Sequence, residues 1–497
     1  MQFEFNFFWG QKMKTFLTAS SLNKVILLDY LLESNTWRSS KELAKVIGVT
    51  EKSILNYLEE FQQLFKETGQ KIQLFNDHNK NFQIVKEEDF PIYTLYLKFY
   101  QSSYNYKLID FMYHHPHQRL TDYAESQFTS LSTVFRYAKL LKPYFKRYQL
   151  EFLPYRLELK GSETNIRSFY YYFYWNSTRE IADDWPFSTE LSAIETVITD
   201  FEKVYAVTLE PLQRKTFAYW LAITLERSKV VIATTDATKQ RVIDSDPTFK
   251  LMQKWHKICN LPLSRDELYF LYQVIYDFGI IDGNPNYENS YALAHQQNQT
   301  DSYLAVMNLA RVVKENFEFQ LATDDLELMF NFIAFHERSA FFNGNSDVFF
   351  NRSYIMELKA ERPREFQIMQ ELRKHLLKRA QPSVKALLTN WQQLFLNYYF
   401  ILDYYDLFAK KVTPIKILVQ DDLHHTHRLW LMNKVRTYFG HSFAFEFYDY
   451  QTPIAEVDLV ISNYYIDTGN TPLILMKNLP TERNWRQLGA MLYQLTK

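Results

Sequence analysis

The sequence predicts a mainly α-helical, multidomain protein with two winged helix-turn-helix units, two helical bundles and a small C-terminal α/β domain. Three observations lead to this prediction. The chain has 497 residues, too many for one hydrophobic core. It contains only 10 glycines, whereas Gly-rich nucleotide-binding folds and β-rich scaffolds depend on glycine turns. Apolar residues recur at helical spacing over most of the chain, and strand-length runs are confined to short hairpins and the C-terminal region.

The composition limits the cellular compartment in which the protein is expected and the kinds of site that it can contain. The formal charge is −1 and the single cysteine is Cys259, which excludes internal disulfides and a thiolate metal cage. The N-terminus lacks the basic and apolar order of a signal peptide, and no stretch of about 18 apolar residues suits a membrane span. We therefore expect a cytoplasmic protein that does not enter the membrane.

Residues 1–90 are predicted to form the first winged unit. A helix covers Lys24–Glu33, and Ser39 with Glu42 predicts the capping box of a second helix. Gly48 ends that helix, and Thr50 caps the third. The predicted hairpin strands are Ile72–Phe75 and Phe82–Val85.

Residues 91–162 repeat this order with a different sequence. The predicted helices are Tyr93–Met112, Leu120–Gln127 and Leu131–Phe145, and the predicted strands are Leu150–Leu153 and Arg156–Lys160. The presence of two tandem copies of one supersecondary unit strengthens the prediction of each.

The remainder of the chain is predicted to contain three domains. Residues 163–285 and 286–408 are expected to be helical bundles, divided by the polar stretch Asp282–Gln299. Residues 409–497 alternate strand and helix patterns, which predicts a partly parallel sheet. Its strands are predicted at Ile415–Val419, Ala444–Phe447, Val457–Ile461 and Leu473–Met476, and its helices at His427–Tyr438 and Arg483–Tyr493.

The third helix of the second unit is the stronger candidate for reading DNA. Its apolar face, which includes Leu131 and Val134, is predicted to be buried, so polar and basic side chains face outward near the helix start. Residues 119–160 hold eight basic and four acidic residues, a local excess that suits phosphate contact. The predicted DNA contacts in this unit are Ser132, Thr133, Arg136, Tyr137, Lys139, Lys142, Arg156 and Lys160.

In the first unit the analogous outward residues are Lys52, Ser53, Asn56 and Tyr57. Glutamates nearly cancel the cations there, so we expect either an auxiliary contact or a purely structural role. The Asp- and His-containing segment 421–427 is expected to be a solvated loop and helix start rather than a metal site. We find no catalytic constellation and expect no metal, no cofactor and no enzymatic activity.

The run Leu131-Ser-Thr-Val-Phe-Arg136, followed by the hairpin and by Leu159-Lys-Gly-Ser-Glu-Thr-Asn-Ile-Arg167, resembles the Mga/AtxA-like family of virulence transcription regulators of Gram-positive bacteria. The resemblance follows the whole chain in domain order, although its sharpest motif spans about 40 residues. It implies promoter binding, PTS-regulation domains (PRDs) at 163–285 and 286–408, and an EIIB-like C-terminal domain. It further implies a homodimer formed through the PRD-like and EIIB-like domains, and phosphorylation by the sugar phosphotransferase system through its phosphocarrier protein.

The sequence departs from this family at its phosphorylation sites. Trp220, Asn331 and Val274 occupy positions where PRD histidines are expected. The candidate phosphoacceptors that are left are His256, His336 and His375, each of which fits a structural role better. No cysteine follows the strand Ile415–Val419, so the EIIB-like domain cannot relay phosphate through a thiol.

Three alternatives to a DNA-binding activator stay open. An RNA-binding antiterminator can also contain PRDs, but it leads with a β-rich domain, whereas this chain leads with helical units. A phosphotransferase component is disfavoured by the missing cysteine and histidines. A scaffold linked to the phosphotransferase system that has lost DNA binding is opposed only by the basic cluster around Arg136.

Overall fold

The computed structural model describes residues 16–34, 36–68, 71–77, 79–146, 148–179, 184–230, 236–341, 353–408, 414–423, 425–440, 442–448 and 451–495. Helices dominate this part of the chain. It divides into two compact bodies: residues 1–309, 322–367 and 373–395 form the first, and residues 310–321, 368–372 and 396–497 form the second.

The three helices and the hairpin predicted for the first unit are present, together with a short strand, Arg38–Ser39, that was not predicted. The Ser39 hydroxyl accepts a hydrogen bond from the Glu42 amide at 3.2 Å, and the Thr50 hydroxyl accepts one from the Ser53 amide at 3.2 Å. Gly48 ends the second helix in the left-handed conformation, with φ 79°. The elements are α1 (Ala19–Ser34), β1 (Arg38–Ser39), α2 (Ser40–Ile47), α3 (Glu51–Lys66), β2 (Ile72–Asn76) and β3 (Asn81–Lys86).

These strands form an antiparallel sheet in the order β1-β3-β2, with Leu74 opposite Ile84. Phe82 and Ile84 alternate with more exposed residues on β3 and are buried, as are Ile54, Leu58 and Phe61 of α3. The hairpin is thereby held as a wing beside α3.

The second winged unit departs from prediction in two places. Its elements are α4 (Tyr93–Ser102), α5 (Tyr104–His114), α6 (Leu120–Ser126), α7 (Leu131–Lys146), β4 (Glu151–Leu153) and β5 (Glu158–Lys160). The single helix predicted over Tyr93–Met112 is wrong, because extended backbone at Ser103 (ψ 135°) breaks it. The buried Ser103 hydroxyl donates to the Phe16 carbonyl, so a tertiary contact overrides local helix propensity.

The second hairpin is shorter than predicted. Pro154–Arg156 forms one 3-10 turn and Leu157 is left-handed with φ 48°, so Arg156 lies in the turn rather than in a strand. Leu157 is buried, and this apolar burial accompanies the unfavourable backbone angle.

The central region is helical, including the stretch predicted to divide it. Residues 285–297 form α14, with Pro285 at its first position and the Asn284 side chain accepting from the Asn286 amide at 3.2 Å. Tyr291 and His295 of α14 are buried, so most of the stretch Asp282–Gln299 is a helix packed into the core. The helices are α8 (Glu163–Thr178), α9 (Leu191–Tyr205), α10 (Pro211–Arg227), α11 (Ala237–Ser245), α12 (Thr248–Cys259), α13 (Arg265–Asp277), α14 (Pro285–Gln297), α15 (Asp301–Phe317), α16 (Leu326–Phe341), α17 (Ser353–Glu361), α18 (Pro363–Arg379), α19 (Pro382–Leu387) and α20 (Trp391–Tyr404).

The C-terminal region is an α/β domain. Among the described residues the strands pair in parallel, in the order Phe445–Tyr448, Ile415–Gln420, Leu459–Ser462 and Leu473–Leu475, whereas the sequence predicts a partly parallel sheet. Leu431 and Val435 of the first helix and Leu488 and Leu492 of the second share one buried cluster with this sheet. The elements are β6 (Ile415–Gln420), α21 (His425–Phe439), β7 (Phe445–Tyr448), β8 (Leu459–Ser462), β9 (Leu473–Leu475) and α22 (Glu482–Leu495).

Candidate nucleic-acid interface

The turns that lead into α3 and α7 have the same hydrogen bonds at positions 80 residues apart. The Val49 amide donates to Ala44 O at 3.1 Å, and the Thr129 amide donates to Ala124 O at 3.0 Å. The Ser130 hydroxyl then accepts from the Thr133 amide at 3.2 Å, as the Thr50 hydroxyl does in the first unit. This register aligns Gly48 with Phe128, Asn56 with Arg136, Tyr57 with Tyr137 and Glu59 with Lys139.

Most of the predicted contacts on α7 are open to solvent. Ser132, Arg136, Lys139 and Lys142 are exposed, while Thr133 is half-buried. Their placement follows from the buried face, where Val134, Ala138 and Leu141 contact the core. Leu131, which we predicted to be buried, is 39% exposed because it lies in the first turn of the helix.

Tyr137 is less available than predicted. Its ring stacks on that of Tyr104 with centroids 4.8 Å apart and an interplanar angle of 7°. The Arg136 guanidinium lies 5.4 Å from the Tyr137 ring centroid. Tyr137 is therefore placed to support Arg136, a cation–π arrangement that limits where the guanidinium can point.

The electrostatics of α7 favour an anionic partner. The helix contains Arg136, Lys139, Lys142 and Lys146 and no acidic residue. Within the described ranges, none of Arg136, Lys139 and Lys142 makes an ion pair. Unneutralised cations on an exposed helix face raise the local potential and attract phosphate.

The predicted contacts of the second wing lie in a groove. Arg156 and Lys160 line it together with Arg119, which precedes α6, and its volume is about 1110 Å³. Glu158 also lines the groove, so the charge there is mixed but mainly positive. The predicted contacts of the second unit thus form two sets, one on α7 and one at the wing.

The first unit presents a different surface. Lys52 and Asn56 on α3 are exposed, whereas Ser53 and Tyr57 are half-buried. The Ser53 hydroxyl lies 2.8 Å from that of Thr50, and the Lys24 ammonium lies 5.5 Å from the Tyr57 ring centroid. Two of the four predicted residues are thereby engaged within the unit.

Acidic residues of α3 pair with cations around it. Glu60 pairs with Lys24, and Glu51 lies 3.5 Å from Lys80 of the wing. The Ser40 hydroxyl, helped by Lys80, lowers the pKa of Glu51, which therefore stays anionic. These pairs neutralise the charge around α3, whereas the corresponding face of α7 stays positive.

The candidate phosphoacceptor histidines occupy different environments. His256 is half-buried and its Nε2 lies 2.9 Å from Leu261 O, and His375 of α18 is half-buried. His336 is completely buried, and this burial lowers its pKa to about 4. A phosphoacceptor needs an accessible ring nitrogen, so the structure corrects the assignment of His336. Among the described residues, no group of three or more His, Cys, Asp and Glu could hold a metal ion.

The sequence did not predict a buried ion-pair cluster directly after the second wing. The Arg167 guanidinium, fully buried, donates to Glu163 at 2.9 Å and to Glu267 at 2.8 Å. Arg227 of α10 donates to the same Glu163 at 2.6 Å. This cluster joins α8 to α10 and α13 and thus fixes the helix that continues from the second hairpin.

A signal for this cluster was present in the sequence. The run Phe169–Trp175 makes α8 aromatic on every face, and a helix of that kind is buried all round. Glu163 and Arg167 are spaced i, i+4 in the same helix, so a buried ion pair could have been inferred. The motif through Arg167 therefore contains structural residues as well as the wing.

Two protein-family models match the part of the chain that contains the two winged units. Residues 18–70 match the helix-turn-helix domain of the M protein trans-acting positive regulator (MGA), and residues 88–174 match the Mga helix-turn-helix domain. A protein of Streptococcus pneumoniae serotype 4, described as a candidate trans-acting regulator, is 23% identical over 205 residues, 41% of this chain. The match spans 40% of that relative's length. Separately, no described helix is long and apolar enough to cross a membrane.

Proposed function

We propose that this chain is a Mga-like regulator that binds duplex promoter DNA and activates transcription, since its residues 18–70 and 88–174 match Mga helix-turn-helix domains. The observation that supports this proposal most strongly is the face of α7. Arg136, Lys139 and Lys142 are exposed on a helix without acidic residues, at the recognition position of a winged helix-turn-helix. A regulator of promoters acts in the cytoplasm, where we expect this protein to work.

In this proposal α7 enters the major groove and reads base edges. Arg136 would donate to a guanine edge, and the hydroxyl of Ser132 would contact a base or a phosphate. Lys139 and Lys142 would neutralise phosphates, as would Arg156 and Lys160 at the wing. Lys52 and Asn56 of α3 would make a weaker contact, because acidic residues surround them.

A salt-titrated binding assay with duplex DNA tests this assignment. The full chain is compared with Arg136→Ala/Lys139→Ala and with a matched double variant of the first unit, Lys52→Ala/Asn56→Ala. We expect the α7 variant to lose affinity and to lower the salt slope by about 1, since Lys139 is its phosphate contact and each lost phosphate contact lowers the slope by about 1. The α3 variant should bind nearly as well as the unaltered chain.

Other outcomes would redirect the proposal. Binding that only the α3 variant loses would move the main contact to the first unit. Binding to RNA hairpins with no duplex DNA binding at any salt would favour an antiterminator. No nucleic-acid binding at all would favour a scaffold linked to the phosphotransferase system.

We further propose that residues 163–285 and 286–408 are PRD-like regulatory domains and that residues 409–497, which contain the parallel sheet, are an EIIB-like module. These parts would form a homodimer. Deletion of residues 412–497 should then weaken self-association in sedimentation experiments, and a deletion protein that stays dimeric would place the interface in the PRD-like domains.

Regulation by the phosphocarrier protein would act through His256 or His375. Incubation of the chain with phosphoenolpyruvate and the purified phosphotransferase enzymes should label the protein. His256→Ala and His375→Ala should then remove the label individually or together. A chain that takes up no phosphate would leave DNA binding as its function without this regulation.

A further inference from the structure

Phe128 is a large apolar side chain on the surface of the second winged unit. It is 99% exposed, in the turn between α6 and α7. A Phe side chain left in water gives up the hydrophobic stabilisation that a core position would provide. Packing within the chain therefore does not explain this residue.

Its backbone is also unfavourable for an aromatic residue. Phe128 has φ 47°, in the left-handed region, and the register of the two turns aligns it with Gly48, which has φ 79°. Glycine adopts this conformation freely, whereas in other residues the Cβ atom crowds the backbone and makes it unfavourable. The second unit thus keeps an exposed ring where the first unit has no side chain.

The neighbourhood of Phe128 indicates the kind of partner. Phe128 lies two residues before Ser130, which caps α7, and Leu131 in the first turn is 39% exposed. Basic side chains follow on the same helix, which contains no acidic residue. Protein interfaces are depleted in lysine, whereas DNA combines anionic phosphates with one apolar group in the major groove, the thymine C5 methyl.

We propose that Phe128 is a specificity-determining residue that packs against a thymine C5 methyl group when α7 occupies the major groove, with Leu131 widening the apolar contact. This inference rests on the proposed function, because it requires that α7 bind duplex DNA. It assigns to the second unit a preference for thymine at one position of the target, independent of any guanine contact by Arg136. The first unit, with Gly48 at the aligned position, has no such reader.

The test begins with duplexes selected by the full chain from a library of random sequence. Affinity for the best duplex is measured for the unaltered protein, for Phe128→Asn and for Leu140→Asn. Asparagine tolerates the left-handed region, so the turn is retained. Leu140 is a matched control, since it is 65% exposed on α7 but lies nine residues after its start.

We expect Phe128→Asn to weaken binding by about ten-fold or more, as the loss of a buried Phe contact implies, and Leu140→Asn to have little effect. The salt slope should not change, because Phe128 neutralises no phosphate. Equal affinity of Phe128→Asn and the unaltered chain would overturn the inference while leaving DNA binding intact.

Replacing each thymine of the selected duplex by uracil removes one methyl group at a time. One replacement should weaken binding by the unaltered chain about four-fold, which corresponds to ~0.8 kcal/mol for one buried carbon group, and should not affect Phe128→Asn. If no uracil replacement matters, the thymine assignment is wrong. If Phe128→Asn changes the sedimentation of the free protein instead, the ring belongs to a protein interface and the inference fails. Absence of any selected duplex would overturn the proposed function together with this inference.

Discussion

The two winged units share a fold and differ in what that fold presents. Both have a hydroxyl cap at the same position, Thr50 and Ser130, and the same amide-to-carbonyl bond across the turn. The residues that close the turn and fill the core are therefore set by the fold. The exposed positions diverge, with Asn56 and Glu59 in the first unit where the second has Arg136 and Lys139. These differences on the solvent face indicate different partners rather than different stability.

The units also differ in how they are tied to the rest of the chain. Arg167, directly after the second hairpin, is fully buried among Glu163 and Glu267, whereas Lys98 pairs with Glu67 of the first unit in an exposed position. Arg167→Ala leaves the buried Glu267 carboxylate without its partner, while Glu163 keeps Arg227. We expect it to lower the free energy of unfolding by about 3–5 kcal/mol.

Lys98→Ala is the matched substitution and should cost less than about 1 kcal/mol, as exposed ion pairs do. Urea unfolding of both variants measures the difference. If Arg167→Ala were as stable as Lys98→Ala, the buried cluster would contribute little to stability. The proposed difference between the two units would then be wrong.

The next largest effect concerns DNA affinity. Arg136→Ala should weaken binding to a selected duplex by about 1–3 kcal/mol if the guanidinium contacts a base, because a bidentate contact to guanine is lost. Asn56→Ala at the aligned position of the first unit should change affinity much less. The affinity of both variants for the selected duplex is measured by titration at one salt concentration. Equal losses of affinity would mean that both helices contact DNA.

The sequence predicted what depends on local patterns. Helix caps, turns and the alternation of strand and helix patterns predicted the positions of α3, α7 and the parallel sheet. Thr50, Gly48 and the strand-length apolar runs are reliable signals because each determines the structure of the few residues around it. It failed where distant residues decide. Ser103 breaks a helix through the carbonyl of Phe16, and the polar stretch at 285–297 is a helix because Tyr291 has a core to enter.

The candidate site follows the same division. The exposure of Arg136 and Lys139 follows from helical periodicity and was predicted, but the stacking of Tyr137 on Tyr104 was not, since Tyr104 belongs to another helix. Burial of His336 also depends on packing from several helices and could not be derived from its own segment.

A smaller effect on stability is expected to distinguish the turn before α3 from the turn before α7. Gly48→Ala places a side chain at φ 79° in a position with no atom within 4 Å, so only the backbone cost remains. We expect a loss of about 1 kcal/mol. Phe128→Ala keeps a non-glycine residue at φ 47° and removes an exposed ring, so stability should hardly change. Thermal unfolding of both variants makes the comparison, and equal losses would contradict the alignment of the two turns.

The smallest effect is a pH dependence of the stability of α5 in the second unit. The histidine of the first unit, His78, lies outside the described residues, whereas His114 of α5 lies 3.6 Å from Asp110 and 3.3 Å from the Ser188 hydroxyl. The hydrogen-bonded Asp110 carboxylate raises the pKa of His114 above its usual 6.5. A raised pKa in the folded state means that the contribution to stability is complete below 6.5 and is lost as pH rises through the folded-state value. Amide hydrogen exchange in α5 should therefore be slower at pH 6 than at pH 8 relative to His114→Gln, after correction for the intrinsic rate, and exchange in α1 should show no such difference. A variant that matches the unaltered chain at both pH values would show that His114 does not help to hold the second unit.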